Sequence, residues 1–296
     1  MEGMNPSFQQ IAELFNLGIN QDSELGELKA QAKGKTAAES EDLARLRLNE
    51  GDFRNAIRHF KDAIAQQNQA KPEILTDLAG AYEYGDQEIQ AFKQYKRAIK
   101  SQQDSPEPLL GLADLLRRSG RYRDSIEELQ KAIKLEPGNP FYHIKLAEAL
   151  RDMGEPTKAL AAAQYAVVVK PDEPFYHYWI GDLLIQMKRW EDALQSFRAA
   201  IELSPGDDHL YLRAAVAFWQ TGRHAEAIKA IRLASDLDPE KAVYAGMLEA
   251  LLRADGQEVE ANLEVEKAGK MDRYDRDVAN RTLSEMGIRE YDARLG

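Results

Sequence analysis

The sequence contains no cysteine, which excludes disulfide bonds, thiolate metal sites and cysteine nucleophiles. It also contains no apolar run close to the roughly 18 residues that a membrane-spanning helix needs. The opening stretch MEGMNPSFQQIAELF has neither the basic nor the apolar region of a secretory signal. From these features we expect a cytoplasmic protein with no membrane partner.

The sequence has fewer positively than negatively charged residues. The chain has 39 Lys and Arg residues against 50 Asp and Glu residues, which gives a formal net charge of -11. Affinity for nucleic acid depends on cationic side chains that neutralise phosphates, so nucleic acid is not expected to be a partner. Alternation of β-branched residues is rare, whereas Ala, Leu, Glu, Lys, Arg and Gln fill the periodic segments. This composition predicts an all-α fold.

Small residues and prolines recur every 34 positions along the chain. The alanines in this register are Ala98, Ala132, Ala166, Ala200, Ala234 and Ala268, and the prolines are Pro137, Pro171, Pro205 and Pro239. Each unit divides into two helical stretches with a turn between them, and glycines mark the turns at Gly85, Gly120, Gly154, Gly222 and Gly256. A period of this length predicts a solenoid in which each unit buries its apolar face against the next.

The segment WIGDLLIQMKRWEDALQSFRAAIELSPGD, residues 179–207, resembles a tetratricopeptide repeat. The large, small, aromatic and proline positions of that family's motif are matched by Ile180, Gly181, Leu184, Ala193, Phe197, Ala200 and Pro205. Matching repeats begin near Ala37, Pro72, Pro106, Pro140, Pro174 and Asp208, and a less regular one begins near Ala242. About seven repeats are therefore expected to cover residues 37–275.

The resemblance implies an all-α, right-handed superhelical solenoid of antiparallel helix pairs. The first helix of each pair would line a concave groove and the second helix would lie outside it. Terminal helices are expected at both ends, because end repeats otherwise leave apolar faces in water. Residues 276–296 are predicted to form a C-terminal capping helix and tail, with Tyr274, Val278 and Met286 near one face.

Residues 1–36 are predicted to form an amphipathic helix followed by a connector. Phe8, Ile11 and Phe15 lie on one side of this helix at helical spacing. The pair Thr36 and Glu39 has the spacing of a capping box, which predicts the start of the first repeat.

The tetrapeptide PFYH occurs twice, 34 residues apart, and places His143 and His177 at equivalent positions on neighbouring first helices. Packed helix axes lie about 8 to 10 Å apart, whereas ligands of one zinc ion lie about 2 Å from it. We therefore expect two packing histidines and no metal site. No nucleophile with its base and no cofactor-binding turn stands out, so the sequence predicts no catalytic residue, no cofactor and no enzyme.

The groove is predicted from residues of the fourth, fifth and sixth first helices that face away from the core of each pair. They form an apolar and aromatic strip edged by carboxylates, and they are Phe141, Ile144, Glu148, Phe175, Tyr178, Asp182, Ile185, Leu212, Val216 and Trp219. Exposed strips of this kind commonly mark interaction sites. The alternative is that these side chains pack across the tight inner curve of the superhelix or under the N-terminal helix.

The leading functional hypothesis is a non-enzymatic adaptor or scaffold that binds a peptide or amphipathic helix of another protein in the groove. The expected partner is an apolar helix or extended segment with some positive charge. The alternative is a self-assembling scaffold, in which the N-terminal helix of one chain enters the groove of a second chain and makes a homo-oligomer. RNA binding by a related helical-hairpin array is disfavoured by the acidic charge.

Overall fold

The structure, a computed structural model, describes residues 36–67 and 70–288. Within these two ranges there are fifteen helices and no strand, so the predicted all-α fold is confirmed. The predicted N-terminal helix with Phe8, Ile11 and Phe15, and the tail 289–296, lie outside the described residues.

The chain divides into two compact units, the first ending at Gln103 and the second beginning at Asp104. The four described helices of unit 1 are α1 (Ala37–Asn49), α2 (Phe53–Ala65), α3 (Pro72–Tyr84) and α4 (Glu88–Ser101). The eleven described helices of unit 2 are α5 (Glu107–Arg118), α6 (Tyr122–Leu135), α7 (Pro140–Asp152), α8 (Pro156–Val169), α9 (Pro174–Gln186), α10 (Trp190–Leu203), α11 (Asp208–Gln220), α12 (His224–Leu237), α13 (Ala242–Ala254), α14 (Glu258–Ala268) and α15 (Arg273–Glu285).

Helices α1 to α14 form seven pairs, numbered here as repeats 1 to 7. The link between the two helices of a pair is three residues long, which is short enough to make the partners antiparallel. Within each unit, the second helix of one repeat also packs on the first helix of the next repeat. Stacked antiparallel pairs of this kind define a helical solenoid.

The alanines of the 34-residue register lie in the buried interior of the helix pairs. All six are buried, with exposed fractions between 0% and 1%. Small side chains at these positions let neighbouring helices approach closely. The prolines of the same register, such as Pro137 and Pro171, fall in the links between repeats and end the second helices.

Each turn within a pair holds one residue in the left-handed backbone region. These residues are Gly51, Asp86, Gly120, Gly154, Lys188, Gly222 and Gly256. In repeat 2 the glycine expected in this conformation, Gly85, has a φ of -90°, and Asp86 takes the left-handed conformation with a φ of 56°. The turn of repeat 5, residues 187–189, contains no glycine, and there Lys188 takes the left-handed conformation with a φ of 57°. Because a Cβ in this region costs about 1 to 2 kcal/mol, the fifth turn is strained.

Replacing Lys188 with glycine is expected to raise the free energy of unfolding by about 1 kcal/mol, since relief of the strain exceeds the extra entropy that glycine loses on folding. Urea unfolding followed by circular dichroism measures this change. Gly222→Lys is the matched control, because a Cβ at Gly222 meets no atom within 4 Å and only the backbone is strained. The Gly222→Lys change is expected to lower the free energy of unfolding by a similar amount. A Lys188→Gly chain no more stable than wild type contradicts this explanation.

The capping box predicted at the start of the array is present. The hydroxyl oxygen of Thr36 accepts a hydrogen bond from the Glu39 N–H at 3.3 Å, and the Glu39 carboxylate accepts one from the Thr36 N–H at 2.7 Å. Two of the N–H groups that the helix start leaves unpaired are satisfied in this way. Helix α1 therefore begins where the sequence places the first repeat.

The last helix, α15, begins at Arg273, so the predicted boundary after residue 275 falls inside its first turn. The Asp272 carboxylate caps this helix by accepting a hydrogen bond from the Asp275 N–H at 2.8 Å. Its buried residues are Ala279, Thr282, Leu283 and, just after the helix, Met286. Tyr274 was expected near the buried face but is 74% exposed. At 100° per residue, Tyr274 lies far from the centre of the buried stripe.

Candidate functional site

Side chains from successive first helices of unit 2 meet on one face of the molecule. The charged residues of this face are Asp114, Arg117, Lys145, Glu148, Arg151, Asp152, Asp182 and Arg213, and its aromatic residues are Phe141, Phe175, Tyr178 and His209. We call this surface the inner face. It is the site that the predicted groove residues and their neighbours form.

The inner face of repeats 3 and 4 is joined by ion pairs between α5 and α7. The guanidinium of Arg117 lies 2.6 Å from the Asp152 carboxylate and 3.5 Å from that of Glu148. The ammonium of Lys145 lies 3.2 Å from Glu148 and 3.5 Å from Asp114. Burial alone would lower the pKa of Arg117, but its carboxylate neighbours raise it above the ordinary value, so the group stays charged. Ion pairs of opposite charge therefore join the two helices.

Repeats 4 and 5 meet through a cation and an aromatic ring. The guanidinium of Arg151 lies 4.8 Å from the centre of the Trp179 ring, within the range of a cation–π contact. Its other partner is Asp152, at 3.0 Å. Arg151 therefore connects the charged part of the inner face to α9.

Arg213 forms the most buried ionic centre of the inner face. Its guanidinium donates hydrogen bonds to Asp182 on α9 and to Glu285 at the end of α15, both at 2.6 Å, and its side chain is only 11% exposed. Burial alone would lower the pKa of Arg213, but the two carboxylates raise it above the ordinary value. Gln220 donates a further hydrogen bond to the backbone carbonyl of Glu285 at 2.5 Å. The end of α15 is thus fixed on the inner face.

Large aromatic side chains line the edge of the inner face at the N-terminal ends of the first helices. Phe141 is 42% exposed and Phe175, one repeat later, is 46% exposed. His209 is the next residue in this register, and its ring stacks on that of Tyr178 with 6.2 Å between the ring centres. Lys145 lies 5.6 Å from the Phe141 ring. These rings provide accessible aromatic surface beside positive charge.

Five of the ten predicted groove residues are buried. They are Ile144, Ile185, Leu212, Val216 and Trp219, and the most exposed of them, Trp219, has 9% of its surface accessible. All five belong to one buried cluster that also contains Leu283 and Met286. This corrects the expectation of an exposed apolar strip: these side chains pack within the array. The role of the site in binding stays a prediction.

The other five predicted residues lie on the inner face itself. Phe141 and Phe175 are exposed, and Tyr178 is half-buried. Glu148 and Asp182 are half-buried and paired, Glu148 with Lys145 and Arg117, and Asp182 with Arg213. The structure therefore brings together two exposed rings and a set of neutralised charges.

The two PFYH histidines join their first helix to the link that precedes it. Nε2 of His143 lies 3.3 Å from the carbonyl oxygen of Pro137, and Nε2 of His177 lies 2.7 Å from that of Pro171. In the next repeat the Tyr211 hydroxyl donates to the carbonyl of Pro205 at 2.9 Å. Because a tyrosine hydroxyl fills the same role, the histidines are structural. Burial lowers the pKa of His143, which favours the neutral ring.

Among residues 36–67 and 70–288 no group of His, Cys, Asp and Glu side chains is arranged to hold a metal ion. No helix in the same ranges is both long enough and apolar enough to span a membrane. The expected cytoplasmic location stays a prediction.

Sequence reasoning missed Arg213 and the inward direction of Arg117. A signal for Arg213 was present, since it is the single charged residue in the run from Leu210 to Gln220, and such a residue inside a buried helix usually has a partner. Its partner at Glu285, 72 residues away, could not be identified from local pattern.

Helix pairs stacked at a fixed period, with a charged and aromatic face on the first helices, define an α-solenoid of helical-hairpin repeats. Three family models, each described as a tetratricopeptide repeat, match residues 106–149, 144–208 and 184–263. Together the matches run without a gap from residue 106 to residue 263, which is more than half of the chain. The chain belongs to the tetratricopeptide repeat family. No curated protein matches the sequence.

Several solved structures resemble the fold. PilF of Pseudomonas aeruginosa is 16% identical with a TM-score of 0.56, over 69% of this chain and 92% of its own. YrrB, a TPR protein with an unusual peptide-binding site, is 20% identical with a TM-score of 0.50, over 67% of this chain and 97% of its own. MamA is 23% identical with a TM-score of 0.51, over 58% of this chain and 93% of its own. At these identities the likeness shows the shared fold alone.

Proposed function

We propose that the chain is a non-enzymatic adaptor whose inner face in unit 2 binds a segment of another protein. Proteins of the tetratricopeptide repeat family are protein-interaction scaffolds, and the matched models indicate no catalytic family. The observation that carries the proposal is the pair of exposed rings, Phe141 and Phe175, at equivalent positions one repeat apart. Aromatic residues are over-represented among binding hot spots, and exposed aromatic surface favours contact with a partner.

The spacing of the two rings fits a helical partner. A helix with its side chains is about 10 to 12 Å wide, which sets the spacing of side-by-side first helices, and residues seven positions apart on a helix lie about 10.5 Å apart along its axis. A partner helix with apolar side chains at positions i and i+7 would therefore contact both rings. An extended segment would span the same distance with side chains three residues apart.

The charge expected of the partner depends on the local ion pairs of the inner face and on the net charge of the chain. The inner-face carboxylates are already neutralised by Arg117, Lys145 and Arg213, so they do not require a particular cation from the partner. The net charge of -11 attracts a positively charged segment over longer distances and raises the association rate. We therefore propose a partner segment with apolar anchors and some positive charge, whose affinity comes mainly from the anchors.

Selection of peptides from a displayed random library against the folded full-length chain tests this proposal. Peptides selected on the wild-type chain are expected to bind a Phe141→Ser/Phe175→Ser variant at least tenfold more weakly, because two aromatic anchors are lost. Leu203→Ser/Leu237→Ser is the matched control, since these side chains are each 43% exposed and also lie one repeat apart, but on second helices. Binding that survives the aromatic changes and is lost in the control would place the site on the second helices and contradict the proposal.

A further inference from the structure

We propose that the inner face of repeats 5 to 7 is a binding site for an amphipathic helix that carries a carboxylate, and that the chain's own α15 occupies this site until a partner helix of the same chemistry displaces it. The inference rests on the proposed function only in taking the inner face as a binding surface. It concerns Arg213 and α15, and none of the contacts given above joins them to Phe141 or Phe175.

The position of α15 does not continue the repeat. Between α6 and α13, every first helix of unit 2 packs on the second helix before it, for example α13 on α12. Helix α15 instead packs on α13, the first helix of repeat 7, and its end reaches Arg213 and Gln220 on the first helix of repeat 6. It lies across first helices, as a groove ligand would in a solenoid whose inner face binds segments of other proteins.

The contacts of α15 define the chemistry of the helix that the site accepts. Small and apolar side chains, Ala279, Leu283 and Met286, are buried. Glu285, between the last two, accepts the hydrogen bond of the buried Arg213 at 2.6 Å. Asp182 occupies one nitrogen of the buried guanidinium, and without Glu285 the other nitrogen would lose its acceptor, which is costly for a buried charged group. The site therefore requires a carboxylate at this position. It selects small or apolar residues four and three positions apart, with an acid next to the last of them.

The fit of α15 leaves room for a better ligand. An open cleft of about 520 Å³ lies between Ser284, Glu285 and Gly287 at the end of α15 and Ile185, Trp190 and Gln220 of the array. The buried Nε of Arg213 has no acceptor among the described residues. A partner helix with a larger side chain in the cleft and a second acceptor at Arg213 would make contacts that α15 does not make.

The connection to α14 explains why α15 nevertheless occupies the site. Only residues 269–272 separate the two helices, and a short tether gives an effective concentration in the millimolar range. A free helix of equal intrinsic affinity is therefore excluded from the wild-type chain at micromolar concentration. A change that weakens the binding of α15 but leaves the site intact should allow the free helix to bind.

The test uses a fluorescent peptide with the sequence of residues 271–288, MDRYDRDVANRTLSEMGI, titrated into full-length chains. The chain with Glu285→Ala, which weakens the tethered helix and keeps the site, is expected to bind the peptide at least tenfold more tightly than wild type. A peptide that itself carries Glu285→Gln is expected to lose that gain. The chain with Arg213→Met, which releases the tethered helix but removes the cation of the site, should show no gain. Glu260→Ala is the control, because Glu260 pairs with Arg232 at 2.5 Å outside the site.

Hydrogen exchange of residues 273–285 in the same chains distinguishes release of α15 from loss of folding. We expect faster exchange of α15 in both the Glu285→Ala and the Arg213→Met chains, with α9 to α12 still protected. If α15 is released in the Glu285→Ala chain and the peptide still binds no better than to wild type, or if α15 stays protected there, the proposal is overturned. The library selection depends on Phe141 and Phe175 and not on Arg213. The proposed function and this inference can therefore fail separately.

Discussion

Replacing Phe197 with alanine is expected to lower the free energy of unfolding by about 3 to 5 kcal/mol, the usual loss for truncation of a fully buried phenylalanine. The Phe197 ring has no exposed surface and lies at the centre of repeat 5. Its ring centre is 6.3 Å from that of Tyr178, and it fills the space opposite Gly181. The cavity left by alanine cannot be filled by a neighbouring chain segment, because the helices on both sides are fixed by their own repeats.

Urea unfolding measures the total loss, and hydrogen exchange of α9 and α10 shows where it falls. In a solenoid each repeat contacts only its neighbours, so the loss of protection should be largest in repeat 5. Phe175→Ala is the matched control: the same change at a residue that is 46% exposed should cost less than about 1 kcal/mol. Equal losses at Phe175 and Phe197 would contradict the assigned core.

Replacing Gly181 with alanine is expected to destabilise the chain by about 2 kcal/mol, although alanine is the better helix former by about 1 kcal/mol. A Cβ at Gly181 would lie 2.6 Å from Cε1 and 2.8 Å from Cζ of Phe197. A fully buried ring held by packing on all sides cannot move by the several tenths of an ångström needed. The cost of overpacking therefore exceeds the gain in helix propensity.

Gly80→Ala provides the matched control for this change. Gly80 also lies inside a first helix, α3, but the nearest atom to a Cβ there is the Tyr95 hydroxyl oxygen at 4.0 Å. The chain with this change should be more stable than wild type by about 0.5 to 1 kcal/mol. In addition, Gly181→Ala should cost less in a Phe197→Leu chain, because the smaller side chain leaves space for the methyl group. Equal effects of Gly181→Ala in both backgrounds would mean that the Phe197 ring is not the obstacle.

The repeat architecture could be predicted from the sequence because it depends on local spacing. Alanine every 34 residues, a turn between the two helices of a pair and a proline after the second helix are each visible in one repeat, and their recurrence fixes the stacking. The structural role of His143 and His177 followed from the same register. The capping box at Thr36 was equally local, since it depends on two residues three positions apart.

The rest of the site depends on contacts that local pattern does not specify. Helical periodicity shows that α15 buries one face but not which helix covers it, and so the pairing of Arg213 with Glu285 was missed. The burial of Trp219, whose ring stacks on that of His224, was missed because an apolar residue on the inner side of a first helix has the same sequence pattern whether it faces solvent or packs within the array. The strain at Lys188 could not be predicted either. Glycines in the sequence indicate turns where the left-handed backbone conformation is favourable, but they do not show that a lysine adopts it in a turn without glycine.

The most direct test of the inner face as a binding surface is photo-crosslinking of a library-selected peptide to the full-length chain, with crosslinked residues located by mass spectrometry. Crosslinks are expected on the first helices α7 and α9, around Phe141 and Phe175. Crosslinks confined to the second helices α8, α10 and α12 would contradict binding at the inner face, because they would show that the partner binds the second helices.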